Sequence, residues 1–239
     1  MSFDRFPKRR PPLPAEFARI YLAHYKTNRE GKSPASWLSK KMEGWLHKQV
    51  AGEGCGLDCG AATLEIGAGT LNQLEYERRE GPYDIVEPFR DLYECSPHLP
   101  RIRNIYDTIH QIPLSPVYGR ITAIATFEHV CDLPQVVARS GLLLTTGGTL
   151  RVSIPSEGAP LWRLGWMLTT GLEFWLRHGT NYGVLLRHEH VNTAAEVEQV
   201  LRYFFANVSA RVLGLNRRLS FYQSFICSHP IVTRCEAYL

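Results

Sequence analysis

The stretch ATLEIGAGTLNQLEYE, Ala62 to Glu77, sets a run of β-forming residues before two glycines and then passes to a polar, helix-compatible segment. Strand, glycine turn and helix in that order form a unit that holds a small molecule. Glycines let the backbone approach a ligand with no Cβ in the way, and the helix N-terminus supplies free amides. Gly67 and Gly69 fit that role. The dinucleotide fingerprint G-x-G-x-x-G needs a third glycine where this chain has Asn72, which disfavours a nicotinamide cofactor. Twenty residues beyond Gly67, the next apolar run, YDIVEPF, ends in Glu87. A carboxylate there can accept hydrogen bonds from both hydroxyls of a ribose, which suits an adenosine-containing ligand.

Outward from this stretch, short apolar runs alternate with helix-compatible sequence. TLEI (63–66), YDIVE (83–87), RITAIAT (120–126) and TLRVSI (149–154) read as the core of a parallel sheet, so the fold class is α/β. Gly147 and Gly148 read as a helix stop before the fourth run. Near the end, ARVLGL and SFYQSFICS follow the helical EVEQVLRYFF and read as two late strands at one sheet edge. Residues 14–50 read as helices, with Phe17, Ile20, Tyr21 and Tyr25, then Trp37, Leu38, Met42, Trp45 and Leu46 at helical spacing. The expected organisation is an N-terminal helical extension over 1–50 and one domain over 51–239, with an insertion at about 157–192.

Composition narrows the function classes. A chain of 239 residues that is 44% hydrophobic can bury a full core, and its formal charge of +4 is modest. Arg5, Lys8, Arg9 and Arg10 read as a solvated basic tail rather than a nucleic-acid footprint. The start lacks an apolar signal region, and no window approaches the length of a membrane span, so a cytoplasmic protein is expected. Six cysteines, at 55, 59, 95, 131, 227 and 235, show neither CxxC pairing nor a secretory context, and free thiols are expected.

LEIGAGT, then DIVEPF, NIYDTIHQIPL and ATFEHVCDLPQVVARSGLLLTTGGTLRVSIPS together resemble the motif series of class I S-adenosylmethionine-dependent methyltransferases, over about residues 60–156. The resemblance implies a Rossmann-like, doubly wound sheet of seven strands, mostly parallel with an antiparallel strand near the C-terminus. S-adenosyl-L-methionine would lie across the carboxyl ends of the first strands. Glu65, Gly67, Ala68 and Gly69 would border its methionine part, Glu87 and Pro88 the ribose, and Asp107, Thr108 and Ile109 the adenine. Thr126, Phe127, Glu128 and His129 would line the floor beneath the sulfonium. Leu71 stands where many members have a third glycine.

Methyl transfer from a sulfonium asks mainly for alignment and exclusion of water, and a hydroxyl acceptor also needs a base. His129, and His188 and His190 in RHEHVNT, are the candidates. His129 can equally be a floor residue, and the other two can belong to a surface loop. No metal is assigned, because HEH offers three adjacent ligands whose alternate side chains diverge. The segment LWRLGWMLTTGLEFWLR (161–177) reads as a lid helix packed on the domain, with a substrate wall, a homodimer contact or a membrane-surface contact as alternatives. Tyr25 and Arg29 are further contacts to consider. The expected acceptor is a small or carbohydrate-like molecule methylated on oxygen or nitrogen. Nucleic-acid methylation is the second reading. It lacks the Asn/Asp-Pro-Pro-aromatic turn after ATFEHV, and no Pro-Cys pair is present. IPSEG lacks the Asp-Asn pair of a catechol-type metal route. A cofactor-binding module without activity is the third.

Overall fold

The computed structural model describes residues 3–17, 20, 36–51, 61–78 and 81–239, with side chains in the first helix described from Met42 onward. Strands β1 (Ala62–Ile66), β2 (Tyr83–Val86), β3 (Asn104–Tyr106), β4 (Tyr118–Ile124), β5 (Leu144–Pro155), β6 (Phe205–Gly214) and β7 (Ser220–Pro230) form one sheet in the order β3-β2-β1-β4-β5-β7-β6. The first five neighbours in that order run parallel, and β7 is antiparallel to both β5 and β6. The chain therefore leaves β1 toward one edge and returns at β4 to build the other. The crevice between β1 and β4, at their carboxyl ends, is the topological switch point where open α/β sheets bind ligands.

Helices α1 (Ser36–Ala51), α2 (Leu133–Leu143) and α6 (Ala194–Phe204) cover the sheet, and α3 (Pro160–Trp166), α4 (Leu172–His178) and α5 (Tyr182–Glu189) follow β5. A short α7 (Val232–Glu236) closes the described chain. In α6, Val197, Val200, Leu201 and Phe204 fall at i, i+3, i+4 and i+7 and are buried. They pack with Leu133 and Val137 of α2 on Leu64, Ile121, Leu150, Val152 and Phe225 of the sheet. Each such side chain contributes about 1.5–3 kcal/mol by leaving water. A capping box starts α6: Glu196 donates its amide to the Thr193 hydroxyl, and its carboxylate accepts from the Thr193 amide. On the opposite face, Leu46 and Val50 of α1 meet Ile124 and Tyr222. Phe17 and Ile20 pack with Phe174 and Leu185. Tyr21, Tyr25 and Arg29 lie outside the described residues, as do the side chains of Trp37 and Leu38.

Several sequence expectations are corrected. No α-helix follows the glycine turn among the described residues; only a single 3-10 turn, Asn72–Glu75, forms. Gln73 is buried there, donating to the Glu77 carboxylate at 2.7 Å and pairing with His47 at 2.8 Å, and these side-chain bonds hold the segment as a loop. The β2–β3 connection likewise carries only 3-10 turns, at Arg90–Leu92 and Leu99–Arg101. Pro88, Pro97 and Pro100 remove the donors a helix would need. Gly147 and Gly148 do not stop a helix. They sit inside β5, where the register against β4 shifts and Gly147 takes φ +83°. The basic tail is not simply solvated: Phe3 and Phe6 pack on the core, and Lys8 donates to the Val191 carbonyl at 2.8 Å and pairs with Glu196 at 2.7 Å. The 161–177 helix is broken by a π turn at Met167–Gly171. Its apolar residues Leu164, Leu168, Leu172 and Trp175 are exposed, while Phe174 is buried. Cys95, Cys131, Cys227 and Cys235 are free thiols; Cys55 and Cys59 lie outside the described residues.

Two buried charges pin the sheet's amino-terminal end. Arg120 of β4 pairs with Glu77 at 2.6 Å, donates to Thr63 Oγ1 at 3.2 Å, and reaches the Ala51 carbonyl at the end of α1. Asp84 of β2 takes Arg103 at 2.6 Å and the Tyr118 hydroxyl at 2.8 Å, joining β2 to β3 and β4.

Leu71 stands at φ +67° with its side chain fully buried against Leu74, Ile85 and Tyr93. This backbone conformation costs a non-glycine residue about 1–2 kcal/mol. Truncating a buried leucine costs about 2–5 kcal/mol. Burial is the larger effect, so Leu71→Gly is expected to lower the unfolding free energy by roughly 1–3 kcal/mol despite relieving the backbone. Denaturant titration checks this, and a variant at least as stable as the parent would reverse the ranking.

Candidate active site

Gly67 and Gly69 turn the chain at the end of β1 with φ +72° and +53°. A Cβ on Gly67 would overlap the Thr126 side chain at the end of β4, so this glycine lets the two strand ends close up. A Cβ on Gly69 would meet nothing within 4 Å, so it would extend into the open crevice. Glu87 is buried at the end of β2. One of its oxygens accepts the Gly69 amide at 2.8 Å and the other the Phe89 amide at 3.1 Å. Each oxygen keeps a second lone pair, so the carboxylate can still receive a diol. Pro88 beside it is exposed, and Ala68 is buried in the small cluster with Leu71.

Glu65 lies in β1, fully buried, and accepts the Tyr83 hydroxyl at 2.9 Å. Burial pushes its acid up to about 8, with the Tyr83 hydrogen bond acting in the opposite sense. It lies just before the glycine turn, and its burial favours the protonated form. At the end of β3, Asp107 is exposed, with its amide donating to Gln111 at 2.8 Å, and Thr108 is exposed beside it. Ile109 instead points into the main core.

The exit from β4 is strained: Ala125 takes φ +47°, and its amide donates to the Ser153 carbonyl at 2.8 Å. Thr126 Oγ1 turns back to the Ile124 carbonyl at 2.9 Å, and Phe127 is wholly buried. The buried carboxamide of Asn192 donates to the carbonyls of Phe127 at 2.8 Å and Val130 at 2.7 Å. The amides of Val191 and Asn192 donate to the Glu128 carbonyl at 2.8 and 3.1 Å. These bonds fasten the β4 exit to the segment after α5 and bring Glu128, His129 and His190 together.

His129 and His190 lie edge to face with ring centres 4.7 Å apart. His129 Nε2 is 3.8 Å from Glu128 Oε1, and its Nδ1 meets the Glu189 carbonyl at 3.1 Å. His190 Nδ1 meets Glu157 Oε2 at 2.7 Å, and that oxygen also accepts Trp162 Nε1 at 2.9 Å. Burial pushes Glu128 up to about 7. Burial also opposes charge on His190, but the bond to Glu157 and the neighbouring carboxylates raise its pKa overall. Glu157 is itself buried against charge, yet its bonds to His190 and Trp162 hold its carboxyl low. His188 is not part of this group; its Nδ1 meets the Pro11 carbonyl at 2.7 Å. Sequence reasoning missed Glu157, Trp162 and Asn192. Glu157 is within reach of such reasoning, since it lies two residues past β5 at a strand's carboxyl end.

Neither a protein-family model nor a curated protein sequence matches the chain. Solved structures do. A Thermotoga maritima protein described as a SAM-dependent methyltransferase, possible histamine N-methyltransferase, superposes with TM-score 0.58 at 15% identity, over 89% of this chain and 97% of its own. An O-methyltransferase family protein from Burkholderia thailandensis gives 0.54 at 13% identity, over 88% of this chain and 62% of its own. A "possible exported protein" from Bordetella parapertussis gives 0.58 at 14%, over 82% and 70%. At these identities the likeness is one of fold. No helix among the described residues is long and apolar enough to cross a membrane.

The Glu65 acid has a folded pKa of about 8 against 4.5 for the free group. The folded state therefore keeps a proton that the unfolded state has released above pH 4.5. The group's contribution to stability is whole at lower pH and is lost as pH climbs toward 8. Glu65→Gln removes this proton, so its melting temperature is expected to fall less than the parent's across that window. Parallel pH profiles for the two proteins would refute a protonated Glu65.

Proposed function

We propose that this chain, which has the class I methyltransferase fold, binds S-adenosyl-L-methionine across the β1–β4 crevice and transfers its methyl group to an oxygen or nitrogen of a small, polyhydroxylated acceptor. The observation that carries the reading is the pairing of Gly69 with Glu87. An open glycine face and a buried carboxylate meet at the switch point, where backbone amide, ribose and sulfonium can be served together. On this reading Glu65, Gly67, Ala68 and Gly69 border the methionine part, Glu87 and Pro88 the ribose, and Asp107, Thr108 and Ile109 the adenine. Ile109 does so through its backbone, since its side chain is in the core. Thr126, Phe127 and Glu128 form the floor.

The neighbours described as SAM-dependent or O-methyltransferases support the reaction class. The acceptor class is supported by the site itself. Glu128, His129, His190 and Glu157 offer hydrogen bonds on the acceptor side, and the Trp162 ring lies beside Tyr222 at 5.5 Å as an apolar platform. In the transfer, an acceptor lone pair forms the new bond to the methyl carbon. The carbon–sulfur bond breaks, and its electron pair returns to sulfur as neutral S-adenosylhomocysteine. The acceptor proton leaves on the side of the crevice lined by Glu128, His129 and His190. The helices over 160–189 form the cover, within the insertion expected at 157–192. The free thiols at Cys95, Cys131, Cys227 and Cys235 fit a reducing compartment and so a cytoplasmic location.

Five variants test this reading. Gly69→Val is expected to stay folded while losing S-adenosylhomocysteine affinity at least tenfold in titration calorimetry, because its side chain fills open crevice. Glu87→Ala is expected to weaken the same ligand by roughly 1.5–3 kcal/mol. It should have little effect on an analogue lacking the ribose hydroxyls. Equal losses for both ligands would remove the ribose assignment. In single turnover, His129→Ala and His190→Ala are expected to slow methyl transfer by about 10²- to 10⁴-fold, and His188→Ala by less than about twofold, given its contact with Pro11. A large effect at His188 alone would place the chemistry elsewhere.

A further inference from the structure

We propose that Glu128, His129 and His190 hold a divalent transition-metal ion, zinc in the first place, on the acceptor side of the crevice. One ligand atom from each of the three residues lies within 4.8 Å of the others. An ion bound at about 2.0–2.2 Å from each would draw those atoms to roughly 3.3 Å apart. Two imidazole nitrogens and one carboxylate oxygen are the donor set of open zinc sites, in which remaining positions are left for water or substrate.

The surroundings of the ring nitrogens point the same way. The Glu189 carbonyl can only accept, so its contact with His129 makes Nδ1 the protonated nitrogen, and Nε2 is the nitrogen that faces Glu128. Glu157, a carboxylate held by Trp162, fixes Nδ1 of His190 in the same manner. A histidine whose far nitrogen donates to a carboxylate or a carbonyl is how proteins orient imidazole for a metal.

The independent observation is Glu128 itself. It is 1% exposed, and its Oε2 has no hydrogen-bond partner among the described residues. A buried carboxylate oxygen without a partner is costly, and few survive in folded proteins without an ion, a water or a role. A cation between Glu128 and the two rings supplies the missing partner.

Binding of the ion does not depend on the methyl-transfer reading; its chemical role does. With the ion present, an acceptor hydroxyl takes an open coordination position, where its acidity rises. Its proton passes to water. The oxygen lone pair then attacks the methyl carbon, and the carbon–sulfur electrons return to sulfur as before. The two histidines then act as ligands rather than as bases.

The test uses the full chain, stripped with EDTA, dialysed, and titrated with Zn²⁺ by calorimetry in the absence of any cofactor. One equivalent is expected to bind, and Glu128→Gln and His190→Ala are each expected to weaken it at least tenfold. Co²⁺ added to the unmutated protein is expected to give the intense visible bands of a four- or five-coordinate site, which guards against a variant that fails to fold. Absence of stoichiometric Zn²⁺ binding, variants that keep the parent's affinity, or a Co²⁺ spectrum like that of the aqueous ion would each overturn the site. S-adenosylhomocysteine titrated in parallel separates the two readings. Retained cofactor binding without zinc removes the ion alone, and zinc binding without cofactor affinity removes the methyltransferase reading alone.

Discussion

The exit from β4 depends on one buried side chain. Asn192 donates to the carbonyls of Phe127 and Val130, while the amides of Val191 and Asn192 return two bonds to Glu128. A strand end that turns through a left-handed Ala125 leaves backbone groups that cannot reach the sheet ladder, and an unpaired buried carbonyl is costly. The carboxamide satisfies them. It also fixes the distance between two segments that the sheet does not connect. Glu128, His129 and Glu157 reach the site from the ends of β4 and β5, His190 from beyond the sheet, and the Asn192 clamp is where the two halves meet.

That arrangement gives the crevice two unlike sides. The β1–β2 side is held by backbone and one carboxylate, with glycine turning the chain, Glu87 tying the turn to the next strand, and Glu65 buried against the Tyr83 hydroxyl beneath. It favours a rigid, shape-selective seat. The β4–β5 side is built from titratable groups within a few ångströms of one another, where burial and neighbouring charge work against each other. Preorganised polar groups in a site shielded from water are worth more than the same groups in solvent. The division of labour matches a reaction in which one partner is held fixed and the other is prepared.

The legible parts of the sequence were those whose meaning is local. The β1 turn, the apolar runs of the parallel sheet, Glu87 at a strand end and the two late strands all follow from neighbouring residues, and the structure has them. His129 could be placed because it lies five residues past the end of β4, a strand whose direction was legible. Which of His188 and His190 joins it could not be decided, since His190 arrives through the Asn192 clamp, a tertiary contact that no local pattern encodes. The helix expected after the glycine turn failed because Gln73 found buried partners at His47 and Glu77, the first of them in a distant element. The three prolines between β2 and β3 were readable and would have warned against a helix there. Gly147 and Gly148 have the same local signature in a bulge as at a helix end, and only the shifted pairing with β4 distinguishes them. The anchored tail was hidden for a different reason: Lys8 looks solvated until α6 supplies Glu196.

The anchored tail also bears on the order in which the molecule assembles. Phe3 stacks on Phe204 and lies edge-on to Tyr203 and Tyr238, and the Lys8 amide donates to the Cys131 carbonyl. Arg10 reaches the carbonyl of His129. Bringing Phe3 to Phe204 closes a loop of about 200 residues, an entropic cost that only a finished surface can offset. The sheet and α6 form the surface on which residues 3–10 dock, so docking of the tail is expected to follow them. The main-chain oxygen of His129 takes Arg10 from that docked segment, so the chemistry-bearing end of β4 is completed by residues far from it in sequence.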